Sequence, residues 1–404
     1  MKIPPFTLER QYLQIGSEIE EAVLKVFKSG QFIGGNEISQ FQESFASLIG
    51  VPFAIGCNSG TDALVIALRA LDIGHGDEVI TSSFSFFATA EAISIVGAKP
   101  IFVDINPDTF LIDQNLIEPN ITDKTKAIMP VHLFGNVVDM NSLKSIAKKY
   151  GLKIIEDCAQ ATCSEWNNQK VGSIGDIGCF SFFPTKNLGA AGDGGALTTS
   201  DSCLAQKIKE LAVHGSPKRY NHNQIGYNSR LDSIQAAVLN TKIKFISNWI
   251  EKRKNIANNY FDLIQKNEIL KLPKNADKRA SHSWNQFVIR LENNNYALNK
   301  NHAELFETDF EKNNSLRNLL KYRLSEKGIN SIIYYPIPIH AQIAYKNAEY
   351  DRSSLINTEK ACTEVLSLPM FPEITYDEQI YITDNLNNIL KENIKEAKYQ
   401  HKVL

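Results

Sequence analysis

The chain reads as an α/β protein: a mainly parallel, seven-stranded sheet in a three-layer α/β/α large domain, followed by a smaller C-terminal α+β domain. Three observations predict this. Between residues 53 and 213, short apolar runs alternate with helical segments, the pattern of strands covered on both faces. Near Asn228 the alternation stops and one long helical pattern takes over. At 404 residues there is length for two or three domains and a large core.

Taken in order, the first residues read as an extended arm and then an amphipathic helix. Ile19, Val23, Val26 and Phe27 recur at helical spacing until Ser29-Gly30 stops the pattern. A second helix over 38–48 ends at Gly50. The alternation then runs FAIGC and a helix over 62–70, EVITSS and 87–96, PIFVDI, KAIMPVHLFG and 142–150, KIIED, GCFSFF, ALTTS and 204–213. A long helix is expected over 232–264, with Asp232 in its N-cap region. Beyond it come SWNQFVIRL, a helix near 318–326, SIIYYPIPIH and a last helix near 378–390. The domains are therefore drawn at 1–245 and 246–404. The Asn-, Glu- and Lys-rich stretch 292–315 reads as a surface insertion or mobile loop, and the charged tail 392–404 as solvated.

Apolar residues at 43% and charged residues at 22% describe an ordinary soluble globular protein. A net charge of −2 leaves no footprint for nucleic acid or an anionic membrane. The N-terminus has no apolar h-region, and no apolar run is long enough to span a bilayer. Six cysteines without CxxC pairs read as buried, reduced thiols, so the expected location is cytoplasmic.

In parallel sheets ligands bind beyond the carboxyl ends of the strands, and four features fall there. Lys186 stands just off the strand GCFSFF, after Pro184 and before the glycines 189, 192, 194 and 195. A desolvated amine there loses its proton readily and can form a Schiff base; a surface lysine in a glycine-rich turn would read the same way. Ser59-Gly60-Thr61 opens a helix after FAIGC, as an anion site or simply as an N-cap. Asp157 ends the strand KIIED, where a buried acid needs a cationic partner: a protonated pyridine nitrogen, or an ordinary salt bridge. Gln160, one turn on, could touch the same ligand. Phe86 can stack on a flat ring or fill core. His132 and His340 each adjoin strand ends and read as substrate contacts or structural donors.

Phosphate cradle, ring stack, pyridinium partner and Schiff-base lysine together are what pyridoxal 5′-phosphate requires. Competing motifs fail: GAAGDGG is not GxGxxG, GxxxxGK[ST] is absent, and no His/Cys cluster has zinc spacing, so no metal is expected.

The chain resembles the DegT/StrS-type sugar aminotransferases, pyridoxal-phosphate enzymes of fold type I. The likeness is carried by SGTDAL (59–64), GDEVI (76–80), GAKPIFVDI (97–105), KAIMPVHLFG, IIEDCAQA, GDIGCFSFFPTKNLGA, GDGGAL, GYNSRLDSIQAAVL (226–239), YYPIPIH (334–340) and LSLPMFP (366–372). The resemblance implies that Lys186 carries the cofactor, Asp157 holds its ring nitrogen and Phe86 covers the ring. Gly60, Thr61 and Ser181, with Ser59, would hold the phosphate, and Gln160 would lie by the ring. Asn228 would reach the phosphate in the neighbouring subunit, implying a homodimer with active sites at the interface. Arg230 in the same loop is read as a cofactor or substrate contact, against an intrachain ion pair with Asp232.

Within the family, GDGG and the run 214–232 look most like enzymes that aminate 3-keto nucleotide sugars, with L-glutamate as donor, in amino-sugar and polysaccharide biosynthesis. The other readings are a 4-keto sugar aminotransferase, a pyridoxal-phosphate-dependent sugar dehydratase and a non-catalytic regulatory protein on the same fold. Relatives that dehydrate replace the lysine with histidine, and Lys186 argues against that branch.

Overall fold

The computed structural model of the chain describes residues 1–292, 315–346 and 354–403. The stretch expected to be an insertion thus lies almost wholly outside the described residues. Two helices come first, α1 (Glu9–Ser29) and α2 (Asn36–Ile49), closed by Gly30 at φ 67° and Gly50 at φ 85°. Both caps need the left-handed backbone that only glycine adopts cheaply. Next come β1 (Phe53–Cys57), α3 (Gly60–Ala70), β2 (Glu78–Ser82), α4 (Ala88–Ile95), β3 (Lys99–Val103), β4 (Thr125–Ile128), α5 (Met140–Tyr150) and β5 (Lys153–Asp157). A hairpin, β6 (Glu165–Trp166) and β7 (Gln169–Lys170), precedes β8 (Ile177–Ser181), β9 (Gly195–Thr199) and α6 (Ser202–Ala212).

Seven strands form one sheet in the order β1-β9-β8-β5-β4-β2-β3. Pairs β2–β3, β2–β4, β4–β5 and β5–β8 are parallel, whereas β9 is antiparallel to both neighbours. A parallel return needs a crossover, usually a helix. The link from β8 to β9 is instead the irregular loop that carries Lys186, and β9 comes straight back.

The pleat explains the three layers. Val79, Ile155 and Cys179 enter a core with the buried faces of α3, α4 and α6; their neighbours Ile80, Ile154 and Phe180 enter a core with α2 and α5. Sequential residues therefore face opposite layers, as in a sheet buried on both sides.

The long helix expected over 232–264 is two helices, α7 (Ser233–Lys242) and α8 (Ile246–Leu263), joined by a 3₁₀ turn over Ile243–Phe245. The tighter turn changes the helical phase. Thus α7 packs on α1 and α2, while α8 runs from the first core at Trp249 into a second core at Ile256 and Tyr260.

The remaining elements are β10 (Leu270–Lys271), β11 (Ala280–Ser281), β12 (Phe287–Leu291), α9 (Ser315–Glu326), α10 (Ile356–Glu364), β13 (Val365–Leu368) and α11 (Tyr376–Val403). Strands β10, β12 and β13 make an antiparallel sheet packed with α8, α9 and α11. Helix α11 continues through the stretch expected to be a solvated tail. Among the ties that join the two parts, three lie on the backbone elements. Ile3 of the N-terminal arm bridges to Ile329 and is buried in the second core. Strand β11 pairs with β6. Asp104, after β3, accepts the Asn357 and Thr358 N–H groups at 2.9 and 2.8 Å and so caps α10.

Candidate active site

The carboxyl ends of β1, β2, β5 and β8 meet the start of β9 at one edge of the sheet, around a cavity of about 590 Å3. Ser59, Gly60, Thr61, Phe86, Asp157, Gln160, Ser181 and Lys186 all line it. The opposite wall is Asn285, Gln286, Ile333, Tyr334 and Tyr335, from the second part of the chain.

Lys186 is held by its loop. Phe182 N–H donates to Gly194 O at 2.8 Å and Ala190 N–H to Phe182 O at 2.7 Å, and Lys186 N–H closes a turn onto Phe183 O at 2.8 Å. A Cβ on Gly189 would stand 2.3 Å from Pro184 O, so only glycine lets the loop fold back here. From behind, buried Lys242 donates from Nζ to Gly189 O at 2.9 Å, and Gln235 Oε1 accepts the Ala191 N–H at 2.8 Å. Burial lowers the Lys186 amine to about 8, against the opposing pull of the Asp157 charge. A fair fraction is then neutral and nucleophilic near physiological pH.

Asp157 and Glu156 are adjacent acids on opposite faces of the sheet. Burial raises the Asp157 pKa, while hydrogen bonds from the Thr89 hydroxyl (2.8 Å) and the Ala159 N–H (3.2 Å) and the Lys186 charge oppose it. Glu156 turns the other way. Burial penalises its charge, but the His132 hydrogen bond and the Gly175 N–H at 2.6 Å outweigh that and lower its pKa.

The cradle at α3 suits a phosphate. Ser59 Oγ accepts the Asp62 N–H at 3.1 Å, so its hydroxyl caps the helix and its cavity contact is shared with that role. A Cβ on Gly60 would lie 2.7 Å from Ser181 Cβ, and one on Gly195 would lie 2.4 Å from Ser59 O. Glycine at both places brings backbone and the Ser181 hydroxyl together at a helix N-terminus. An anion cradle, a lysine of lowered pKa and a buried acid short of positive charge fit pyridoxal 5′-phosphate.

Phe86 is 57% exposed and opens onto the cavity, with the Tyr335 ring 6.2 Å from its own. Gln160 is committed at both ends: Oε1 accepts the Phe134 N–H and Nε2 donates to the Tyr335 hydroxyl, each at 2.8 Å. It fixes Tyr335 as a wall of the site.

His132 and His340 are not brought to the cavity, and Asn228 and Arg230, expected at the neighbouring subunit's site, do not line the cavity of their own chain. His132 is fully buried on the Glu156 face of the sheet. Its Nδ1 accepts the Val138 N–H at 3.3 Å, so Nε2 carries the proton given to Glu156 at 3.1 Å. His132, Glu156 and Cys158 bring donor atoms within 4.8 Å of one another, but both imidazole nitrogens are already used. His340 is buried with Ser83 (2.8 Å) and Glu359 (3.3 Å), where it ties the two parts of the chain. Asn228 and Arg230 are exposed. Among the described residues Arg230 makes no ion pair; Asp232 caps α7, accepting the Gln235 N–H at 2.8 Å.

Sequence reasoning missed Ser85, Thr89, Asp193 and the Asn285–Gln286 wall, all of which line the cavity. Ser85 and Thr89 stand four apart just past β2, hydroxyl to hydroxyl at 2.8 Å. Two hydroxyls at that spacing beyond a strand end were a usable signal. Asn285 had none, because its place depends on a fold contact a hundred residues from Lys186.

Known proteins resemble this chain over nearly its whole length. The chain is 41% identical over 96% of its length to a "pleiotropic regulatory protein" of Geobacillus stearothermophilus, covering 98% of it. It is 42% identical to UDP-N-acetyl-3-dehydro-α-D-glucosamine 3-aminotransferase of Acidithiobacillus ferrooxidans, over 94% of this chain and 95% of that one. With dTDP-3-amino-3,6-dideoxy-α-D-galactopyranose transaminase of Aneurinibacillus thermoaerophilus it shares 41%, over 95% and 99%. The crystal structure of DesV from S. venezuelae, in complex with a ketimine intermediate, superposes with a TM-score of 0.88 at 34% identity, over 96% and 98% of the two chains. A family model matches residues 13–387, and with the lysine, the acid and the cradle assembled in one cavity the chain belongs to the DegT/DnrJ/EryC1/StrS aminotransferase family.

Proposed function

We propose that this transaminase moves an amino group from L-glutamate to the C3 keto group of a nucleotide-linked sugar. The observation that carries the reaction type is Lys186, with its lowered pKa, in one cavity with buried Asp157 and the Ser59–Thr61 cradle. The C3 assignment is supported by the named substrates of the two transaminase relatives, both 3-amino or 3-dehydro sugars.

Pyridoxal 5′-phosphate, when bound, supplies an electron sink for the carbon that loses its proton. Asp157 would keep a ring nitrogen protonated, since its own charge is poorly solvated without a cation. Thr61, Gly60 and Ser181 would hold the phosphate at the start of α3. Lys186, as a free amine near its pKa, would take and return the proton between donor and acceptor carbons. Phe86 and Tyr335 would wall the ring and limit water. The nucleotide would supply remote binding energy that places the keto carbon.

We place a homodimer around this site, with the loop before α7 crossing to the partner. Exposed Leu13, Leu24 and Phe27 on α1, with Ile33 and Ile225, support such a face. Arg230 beside it offers a fork suited to a phosphate or an acidic sugar. Six free cysteines support a cytoplasmic setting, and among the described residues no helix is long and apolar enough to cross a membrane. We draw the domain boundary at 245–246, at the end of the 3₁₀ turn between α7 and α8; Ile3 of the N-terminal arm packs in the second core and Trp249 of α8 in the first. A purely regulatory role is disfavoured by the complete lysine–acid pair.

The test offers purified holoenzyme L-glutamate with a UDP-linked 3-keto sugar, a dTDP-linked 3-keto sugar or a 4-keto sugar, and measures 2-oxoglutarate and amino sugar. Equimolar formation of both from a 3-keto substrate is expected. Amination of the 4-keto sugar alone would overturn the C3 assignment, and no 2-oxoglutarate from any pair would overturn transamination from glutamate.

A further inference from the structure

Lys186 is followed by Asn187, a residue only 5% exposed whose side chain leaves its own domain. Asn187 Nδ2 donates to Ser283 O at 3.3 Å, and its Oδ1 accepts from Asn285 Nδ2 at 3.1 Å. Both partners lie between β11 and β12, on the far side of the cavity in the chain's second part. Exchanging Asn187 N and O would set two oxygens together at Ser283 and two NH2 groups together at Asn285, so the pattern fixes one orientation.

The Asn285 end is itself anchored. Arg253 of α8 is 2% exposed. Its Nη1 reaches the carbonyls of Trp284 at 3.0 Å, Asn285 at 3.3 Å and Met370 at 3.2 Å. Burial lowers its pKa only to about 10, so the guanidinium stays charged near neutrality. No carboxylate forms a salt bridge with it among the described residues. Desolvating this cation is costly, and its bonds to the three carbonyls offset that cost, so the guanidinium and the loop at Asn285 hold each other in place. At the other end of the lysine loop Lys242 does the same to Gly189 O.

We propose that Asn285, held by Arg253, is a positioning residue for Lys186: it clamps the next residue in the chain and so fixes the amine against the cavity. This rests on Lys186 being the lysine that takes up the cofactor. The coupling makes the attack of Lys186 depend on docking of the second domain, because half of the clamp belongs to it. Misplacement of a reacting group by about an ångström can cost on the order of 10²-fold, so partial loss of the clamp should cost about tenfold.

The test uses apoprotein and pyridoxal 5′-phosphate, with borohydride trapping and peptide mapping to time the capture at Lys186. Asn285→Asp keeps the shape but cannot donate to Asn187, and Asn187→Ala breaks the clamp from the other side. Each should slow capture about tenfold, and the double variant should be no slower than the slower single. Affinity for pyridoxamine 5′-phosphate, which forms no bond with Lys186, should stay within about twofold in Asn187→Ala, whose side chain lies outside the cavity lining. Should one variant fail to fold by circular dichroism, the other carries the capture test. Unchanged capture, multiplied losses in the double variant, or an equal fall in pyridoxamine phosphate affinity in Asn187→Ala would overturn the proposal. Absence of label at Lys186 in the unmodified protein would instead overturn the assignment of that lysine.

Discussion

Thr89 gives its single hydroxyl proton to Asp157 Oδ2 across 2.8 Å, inside a fully buried site. Ser85, 2.8 Å from the Thr89 oxygen, must therefore be the donor in that second bond. The chain of hydroxyls opposes the burial that otherwise raises the Asp157 pKa. Thr89→Val keeps the volume and removes the donor. A hydrogen bond to a charged group is worth ~1.5 kcal/mol or more, so kcat should fall at least about tenfold. Thr89→Ser should recover most of it. A Val variant with the parent rate and cofactor spectrum would remove Thr89 from this role.

Asp157→Asn tests the acid itself. The amide still accepts from Thr89 but cannot hold a ring nitrogen protonated, so cofactor should bind while kcat falls about 10²–10³-fold, as for other preorganised electrostatic partners. The same change removes the charge that raises the Lys186 pKa. The pH profile for capture of pyridoxal 5′-phosphate by the apoprotein, half-maximal near about 8 in the parent, should then move to lower pH. A shift to higher pH would show that Asp157 does not act on Lys186.

The large sheet was legible because each strand is a short run apolar on both faces and bounded by a helix pattern. Ile154 and Ile155 serve opposite cores, which is how KIIED reads. The same pleat explains the failure at His132. Strand ends locate a residue along the sheet, but its face depends on register, and Glu156, not Asp157, shares the histidine's face. The break over Ile243–Phe245 was hidden because it contains neither proline nor glycine. The Asn285 wall could not be read at all: it belongs to a polar stretch whose significance comes only from docking against Asn187.

Lys186 should also reveal itself in stability. Its folded pKa of about 8 lies below the ordinary 10.5, so at pH 7 the native state carries a charge it disfavours. Because the side chain is partly open to the cavity, the penalty is discounted to about 2 kcal/mol from the full conversion of the shift. Between about pH 8 and 10.5 the unfolded chain holds the proton that the folded chain has lost, so stability rises with pH across that window. Apoprotein Lys186→Met should therefore be more stable than the parent at pH 7, with the difference shrinking as pH passes through the window. It should also show no borohydride-stable cofactor and no turnover. Denaturant midpoints that favour the parent at pH 7 would contradict a desolvated amine.

The last prediction concerns the loop before α7. Within one chain Asn228 and Arg230 face outward, and Asp232, the nearest acid in sequence, is occupied as a helix cap. Ser229 between them is buried and donates to Asn58 Oδ1 at 2.9 Å, next to the Ser59–Thr61 cradle. The loop is thus anchored beside the cradle while its two exposed polar residues stay outside the lining of their own cavity. In a dimer built on the exposed apolar residues of α1, those side chains would reach the partner's phosphate site or substrate. A chain carrying Lys186→Ala and a chain carrying both Asn228→Ala and Arg230→Ala should each be inactive or nearly so as homodimers. Mixed dimers contain one site in which every group is intact. After unfolding and refolding together, with heterodimers isolated by two affinity tags, about half the activity per dimer should return. Confirmed heterodimers without activity would place Asn228 and Arg230 in service of their own subunit, and the crossed loop would be wrong.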